Sequence, residues 1–149
     1  MQSVIVQVDN FEEAKKKLGE ARAKSPDRLI GFTGSNDELN RKIIEKLDFG
    51  LFMPILFFRK DWQKQRNSGF DNVMAREAKK KSIVIGIHLS EMKTHKGKQK
   101  AEILARISQN IKLCSKNKVK MRFIGGENLH DLKALGLVLG MPTWMTKEL

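Results

Sequence analysis

The sequence has few of the residues that form cross-links or membrane spans. Its 149 residues include one cysteine, Cys114, which excludes an intramolecular disulfide and a cysteine-rich zinc site. Cys114 falls on the apolar stripe of a helical pattern, so we expect it in the core. The longest apolar run, 51–58, has the length of a strand and contains Pro54, so no transmembrane helix is predicted. The N-terminus shows no charged and then apolar leader pattern, and we expect a cytoplasmic protein.

Residues for catalysis are also scarce. The three histidines, His88, His95 and His130, form no His-x-His or His-x-Asp pair, which is the spacing that metal-dependent hydrolases use. The segment 31–34 (GFTG) lacks the lysine of a phosphate-binding loop, and Ser68 is not in a nucleophile elbow. The sequence therefore predicts no catalytic residue and no bound metal.

Positive charge is what the sequence has in excess. Lysine and arginine number 29 against 17 acidic residues, which gives a formal net charge of +12 at pH 7. Such a charge predicts a polyanionic partner. Nucleic acid is favoured over a membrane surface, because the basic residues are spread over many loops and helices rather than along one amphipathic helix. A surface of paired charges, as in thermophiles, would bring matching glutamate, which is missing here.

Apolar periodicity predicts alternating strands and helices in a single domain, 1–149. The predicted strands are 4–8, 29–33, 51–57, 83–88 and 120–124, and Pro54 suggests an edge position or a bulge in the third. The helices are predicted to begin after Asn10, Ser35, Ser68, Lys96 and Asn128. Residues 90–100 are predicted as a basic loop, and Gly136 is predicted to end the helix after Asn128, with a short strand at 137–139. These repeats predict a mostly parallel sheet, and periodicity leaves open whether it is a barrel or a doubly wound sheet.

The segment 68–78 (SGFDNVMAREA) reads as the entrance of a helix. Ser68 is the predicted N-cap, and Asp71 would lie in the first turn, where a carboxylate meets free N–H groups. Phe70, Val73 and Met74 share one face at helical spacing. We therefore predict that these three side chains are buried.

The same segment, followed by the strand pattern 83–87 (IVIGI), resembles the hallmark segment of the archaeal ribonuclease P protein component 3 family. That family comprises protein subunits of ribonuclease P shared by archaea and eukaryotes. The segment 131–141 (DLKALGLVLGM) is similar to the family's closing segment, and the order and spacing of the two segments also fit. The matched positions are Ser68, Gly69, Phe70, Asp71, Asn72, Val73, Ala75, Gly136 and Gly140. Relative to the family, the chain lacks at least one strand–helix unit before these segments and carries the insertion 62–67 (WQKQRN).

The resemblance implies an α/β, TIM-barrel-like fold, here an incomplete or shortened barrel of five to six strands. It implies a non-catalytic subunit of ribonuclease P, the endonuclease ribonucleoprotein that removes the 5′ leader from precursor tRNA. The RNA would carry the Mg-dependent cleavage, and the protein would bind no cofactor. The implied partners are ribonuclease P RNA, precursor tRNA, the small protein subunit that pairs with component 3, and other ribonuclease P proteins, with no membrane. Two alternatives stay open: a metal-dependent phosphoesterase-like barrel, which the histidine count disfavours, and a generic basic RNA-binding module.

Candidate RNA-binding residues follow from the architecture, because function in parallel α/β folds collects on the loops after the strands. The loops after the third and fourth predicted strands are basic, which suits a phosphate backbone. Trp62 is predicted either to stack on an unpaired base or to anchor the insertion, with no preference between the two. The predicted RNA-binding residues are Arg59, Lys60, Lys64, Arg66, Arg76, Lys93, Lys96, Lys98, Lys100 and Arg122. The run 15–17 is predicted to be a solvated helix face. The run 79–81 is predicted to compensate the dipole at a helix C-terminus in preference to contacting a phosphate.

Overall fold

A computed structural model describes residues 2–126 and 128–149, and strands alternate with helices through most of it. The strands are β1 (Ser3–Gln7), β2 (Leu29–Thr33), β3 (Leu51–Phe52), β4 (Val84–His88) and β5 (Met121–Ile124). The helices are α1 (Phe11–Lys24), α2 (Asp37–Lys46), α3 (Asn72–Lys81), α4 (Leu89–Thr94), α5 (Gly97–Asn117), α6 (Leu129–Leu139) and α7 (Thr143–Thr146). The prediction of a mixed α/β fold is confirmed.

The strands form one parallel sheet in the order β1-β2-β3-β4-β5. Each strand therefore pairs with the next strand along the chain, whereas a doubly wound sheet reverses its order at a switch point. The register places Gly31 opposite Leu51, and a Cβ on Gly31 would lie 2.3 Å from the Leu51 carbonyl oxygen. Glycine at this position permits the close approach of β2 and β3.

Four helices, α1, α2, α3 and α6, begin at Asx side chains, as the sequence predicts for two of them. Asn10 and Asn128 accept from the third residue of α1 and α6. The predicted caps Ser35 and Ser68 are wrong: Asn36 caps α2 and Asp71 caps α3. The Asp71 carboxylate accepts from the Met74 amide at 2.8 Å, and a carboxylate here also meets the positive end of the helix dipole.

Two predicted elements near the middle of the chain are different in the structure. The ladder of β3 ends at Phe52 rather than at residue 57, because Pro54 has no N–H to donate. The suggested edge position for this strand is also wrong, since β3 pairs with both β2 and β4. The predicted loop 90–100 contains α4 (Leu89–Thr94) and the first turn of α5.

The closing segment is helical where a helix end and a strand were predicted. Residues 137–139 belong to α6, and Gly136 is a buried residue within that helix. A Cβ on Gly136 would lie 2.8 Å from the Met141 sulfur, so the small residue lets the chain after α6 pack closely. Gly140, at φ 105°, is the residue that ends the helix, as expected for a left-handed C-cap.

The core lies where the helices pack on the sheet. Its largest buried side chains come from β2 to β5, from α2, α5 and α7, and from the residue before β4: Phe32, Phe52, Ile43, Ile44, Leu51, Ile83, Ile85, Ile103, Ile107, Ile111, Met121 and Met145. Cys114 is fully buried, and burial raises the pKa of its thiol. Phe70 and Met74 are buried as predicted, but Val73 is 43% exposed, so the prediction for Val73 is wrong. Because the helix begins later than predicted, at Asn72, Phe70 lies outside it, and Met74, Ala75 and Ala78 form the buried face of α3.

The edge strands β1 and β5 border one cleft of about 320 Å³, which is lined on one side by Gln2, Ser3 and Arg28 and on the other by residues 122–126. The sheet therefore curves enough for its first and last strands to face the same space. In the part of the chain that the structure describes, no helix is long and apolar enough to cross a membrane.

Candidate nucleic-acid interface

The segment 53–71, between β3 and α3, forms much of the surface at the carboxyl end of the sheet. Two buried charged side chains hold its backbone in place. The Glu91 carboxylate, on α4, accepts from the Leu56 amide at 3.2 Å and from the Phe57 amide at 3.4 Å. The Arg106 guanidinium, on α5, donates to the Leu56 carbonyl at 3.1 Å and to the Arg59 carbonyl at 3.0 Å. An irregular segment is thereby fixed by hydrogen bonds to charged groups, which are stronger than neutral ones.

Arg106 is a residue that the sequence analysis missed. Its side chain is 3% exposed, and it lies on the buried face of α5 with Ile103, Ile107 and Asn110. Its position three residues after Ile103 and one before Ile107 is the available signal, because residues at i and i+3 share a helix face. A charged residue on an apolar stripe is buried only with partners, and Arg106 finds them in the segment 53–71.

Arg59 has a structural role that the prediction of RNA contact did not include. Its side chain is 8% exposed, and Nη1 donates to both carboxylate oxygens of Asp37 at 3.0 and 2.8 Å. Nη1 also donates to Asn67 Oδ1 at 3.3 Å, and the Nε–H donates to the Ile55 carbonyl. Gly69, at φ 70°, packs on this guanidinium so closely that a Cβ would lie 2.2 Å from Nη2. Arg59 therefore links residues 67–69, which precede α3, to α2.

The insertion 62–67 is a compact turn rather than an open loop. Trp62 and Gln65 exchange backbone hydrogen bonds in an antiparallel bridge. Asp61, at the base of the turn, accepts from the Asn67 amide at 2.8 Å and from Arg106 Nη2 at 3.1 Å. The Asn67 amide, followed by Arg106 and then Arg66, lowers the pKa of the Asp61 carboxyl. The Gln109 side chain donates to the Arg66 carbonyl at 3.0 Å, which joins the turn to α5.

Trp62 is 61% exposed and lines a cleft of about 170 Å³ with α2 and with the residues that lead into α3. The cleft includes Arg41 and Phe70. This position agrees with an anchoring role, yet leaves most of the indole accessible to a ligand. The two predicted roles of Trp62 both remain predictions.

Exposed basic side chains surround this end of the sheet. We call them the basic rim: Lys60, Lys64 and Arg66 after β3, and Lys93, Lys96, Lys98 and Lys100 after β4. All are exposed. Lys98 and Lys100 lie in the first turn of α5, which has no acidic residue and no side-chain cap from the described residues. The amide groups and the dipole of that helix end add to the positive potential of the lysines.

The remaining predicted residues lie apart from the rim. Arg76 is exposed on α3, and Arg122 is partly buried on β5, where it lines the cleft between β1 and β5. Among the family-motif positions, Ser68, Gly69, Phe70 and Ala75 are buried. The Ser68 hydroxyl donates to the Phe70 carbonyl at 3.1 Å. At these four positions the residues pack in the interior or contact the backbone.

Two of the three histidines are at this end of the sheet without forming a metal site. His88 ends β4 and contacts Ser90, and the ring of His95 contacts the Glu91 carbonyl at 2.7 Å. Among residues 2–126 and 128–149, no group of three or more His, Cys, Asp or Glu side chains could hold a metal ion.

The fold and the basic rim define a parallel α/β protein with a basic surface at the carboxyl end of its sheet. No protein-family model and no curated protein matches the chain. Among solved structures, the chain is similar to a chain in the "cryo-EM structure of archaeal Ribonuclease P with mature tRNA", with a TM-score of 0.76 and 22% sequence identity. The match covers 97% of this chain and 62% of that chain. At this identity, the similarity shows a shared fold.

Proposed function

We propose that this chain is a protein subunit of ribonuclease P, of the component 3 family, and that it binds the catalytic RNA through the basic rim. The observation that carries the proposal is the shared fold, which extends over 97% of the chain with a TM-score of 0.76. The resemblance of 68–78 and 131–141 to the component 3 family was found from the residues alone. The two similarities therefore support one proposal on different grounds.

The fold also supports the barrel that the resemblance implies, in a shortened form. The strands follow one another in sequence order, as they do in a TIM barrel. The sheet curves until β1 and β5 line one cleft. In the proposed architecture, this cleft is the position where further strands of a full barrel would lie.

The role of the rim is to neutralise phosphate charge. Seven exposed cationic side chains follow β3 and β4, and the carboxyl ends of neighbouring parallel strands lie at the same end of a sheet. Each cation that contacts a phosphate releases condensed counterions, which favours binding at low salt. The metal-dependent cleavage of precursor tRNA would belong to the RNA. Arg59 supports this surface indirectly, because its guanidinium donates within the chain.

The proposed protein partner is the small subunit that pairs with component 3. Support comes from exposed apolar side chains: Leu137 and Val138 on α6 are 55% and 84% exposed. In addition, β1 and β5 are the two edges of the sheet within the described residues. Exposed apolar patches and free strand edges are typical of protein interfaces.

The test is purification of the tagged chain from its native host after ultraviolet cross-linking, followed by sequencing of the RNA and mass spectrometry of the proteins. We expect ribonuclease P RNA, precursor tRNA and the small partner subunit to be enriched. Enrichment of unrelated RNA, or of none, would contradict the proposal.

A pair of matched variants tests the basic rim in vitro. Replacing Lys60, Lys96 and Lys98 with alanine should flatten the slope of log affinity for ribonuclease P RNA against log salt by about 0.7–0.9 per lost contact. Replacing Lys15, Lys16 and Lys24 on α1 removes the same charge away from the rim. Both variants should keep the wild-type melting temperature, because exposed charges contribute little to folding. Equal losses of affinity would show that the rim has no special role.

A further inference from the structure

We propose that the exposed ring of Phe58 is a stacking platform for an unpaired nucleotide base. This inference rests on the proposed RNA-binding function and adds to it the part of the RNA that this surface recognises. Phe58 is 87% exposed, and single exposed apolar residues are common on proteins. The backbone, the ring contacts and the charge around Phe58 distinguish it from such residues.

The backbone at Phe58 is in the left-handed region, at φ 57°. That conformation is rare for a bulky residue and persists only where the surroundings impose it. Here they do so on both sides: the Phe57 amide is bound by Glu91, and the Arg59 carbonyl is bound by Arg106. The segment is thus held in a conformation that presents the Phe58 ring to solvent instead of burying it.

The Phe58 ring is backed by other rings. Its centroid is 3.7 Å from that of Phe57, and Phe57 is in turn 3.8 Å from the ring of His95. His95 is fixed by its contact with the Glu91 carbonyl and by Thr94 Oγ1 at 3.2 Å. A stacking surface supported in this way has little side-chain freedom to lose when a base binds.

Clefts open on two sides of the Phe57–Phe58 pair. One, of about 300 Å³, also includes Lys60, Gln99 and Glu102. The other, of about 390 Å³, also includes Ser35, Asp37 and Asn67. Amide, hydroxyl and carboxylate groups match the edges of bases, whereas the carboxylates would repel a phosphate. Lys60 lines both clefts, and its ammonium can donate to the phosphate of a nucleotide whose base stacks on Phe58.

The charge of the surroundings favours RNA over a protein partner as the occupant. The basic rim begins at Lys60, two residues after Phe58. An aromatic face beside cations is the combination that binds single-stranded nucleic acid, where stacking on one aromatic side chain contributes to affinity for any base. A duplex has no unstacked base to offer, so the site should distinguish single strands from duplexes.

The test compares Phe58→Asn with the wild-type chain for binding to a short unstructured RNA and to an RNA duplex of the same length. Asparagine tolerates the left-handed backbone, so the segment should keep its conformation, and melting temperature checks this. We expect affinity for the single strand to fall by about 5- to 150-fold and affinity for the duplex to be unchanged. Phe58→Trp should restore single-strand binding. Leu129→Asn at the start of α6 is the control, because Leu129 is 48% exposed and substitutions of exposed residues usually change stability little.

Each other outcome overturns the inference in a recognisable way. An unchanged affinity of Phe58→Asn for the single strand, with steep salt dependence retained, refutes the stacking site and leaves the proposed function standing. Equal losses on both RNAs mean a general loss of the surface. Self-association of the wild-type chain that Phe58→Asn abolishes, without an effect on RNA, shows that the ring binds a second copy of the chain. A wild-type chain that binds neither RNA at low salt removes the proposed function, and the stacking site with it.

Discussion

Replacing Arg106 with methionine tests whether α5 holds the segment 53–71 in place. Methionine keeps a long side chain on the buried face of the helix and removes the guanidinium. The hydrogen bonds to the Leu56 and Arg59 carbonyls, at 3.1 and 3.0 Å, are lost, and so is the ion pair with Asp61. The change therefore affects the support of the segment while the core volume stays similar.

The expected loss of stability follows from these contacts. Each hydrogen bond from a charged donor is worth about 1.5–3 kcal/mol. The ion pair adds little, because the Asp61 side chain is 32% exposed and solvent screens such a pair. Against this, the Arg106 Nε–H is buried without a partner among the described residues, a cost of about 1–3 kcal/mol that methionine removes. The net loss is about 3 kcal/mol, which corresponds to a fall in melting temperature of about 6–12 °C for a chain of this size.

Urea denaturation measures the global loss, and hydrogen exchange locates it. We expect a lower midpoint at an unchanged slope, together with faster exchange of the Asn67 amide, whose acceptor Asp61 is oriented by Arg106. Lys112→Met is the control, since Lys112 is exposed on the same helix and such changes usually stay within about 0.5 kcal/mol. If Arg106→Met matches this control in both measurements, the reasoning about the segment is wrong.

Two further predictions concern residues 70–73, where α3 begins, and Asp61 at the base of the insertion 62–67. Phe70→Ala should cost about 3–5 kcal/mol in urea unfolding because Phe70 is buried, whereas Val73→Ala should change stability by less than about 0.5 kcal/mol because Val73 is 43% exposed; equal losses would contradict this assignment of buried and exposed positions. Asp61→Asn should destabilise the chain at neutral pH, because the folded state lowers the pKa of Asp61 below its ordinary 3.8 and so favours the ionised form. The stabilisation by ionised Asp61 is present above pH 3.8 and is lost as the pH falls through the folded pKa of Asp61. The difference in stability between Asp61→Asn and the wild type should therefore shrink in acid, and a constant difference would refute this role of Asp61.

Much of the fold follows from apolar periodicity, and the errors of the prediction from sequence have local causes. The strands and helices were found because each buries one face or stripe at its own period. The end of β3 was mispredicted because residues after Phe52 are as apolar as strand residues, while the ladder needs N–H groups that Pro54 cannot supply. Residues 137–139 were predicted as a strand because α6 carries apolar residues on its exposed side as well, notably Val138, which hides the helical period.

The candidate site was predictable in its charges but less so in their roles. The sequence predicts basic loops after β3 and β4, because the order of strands and loops in a parallel fold determines at which end of the sheet a loop lies. Arg59 could not be told apart from them, because its partner Asp37 is 22 residues away. Lys81 is a similar case: its ammonium donates to the Ile44 and Glu45 carbonyls at the end of α2. Long-range pairs of this kind leave no local pattern, and neither does the left-handed backbone at Phe58.

The sequential strand order has a consequence for how the chain folds. Because every ladder joins strands that are neighbours in sequence, each pairing closes a loop of one strand–helix unit, and a shorter loop costs less entropy to close. The sheet can therefore grow one strand–helix unit at a time from any nucleus, much as repeat proteins do. A unit gained or lost beside β1 or β5 alters one ladder and leaves the inner pairings intact, so the length of such a sheet can change in evolution without a redesign of its centre.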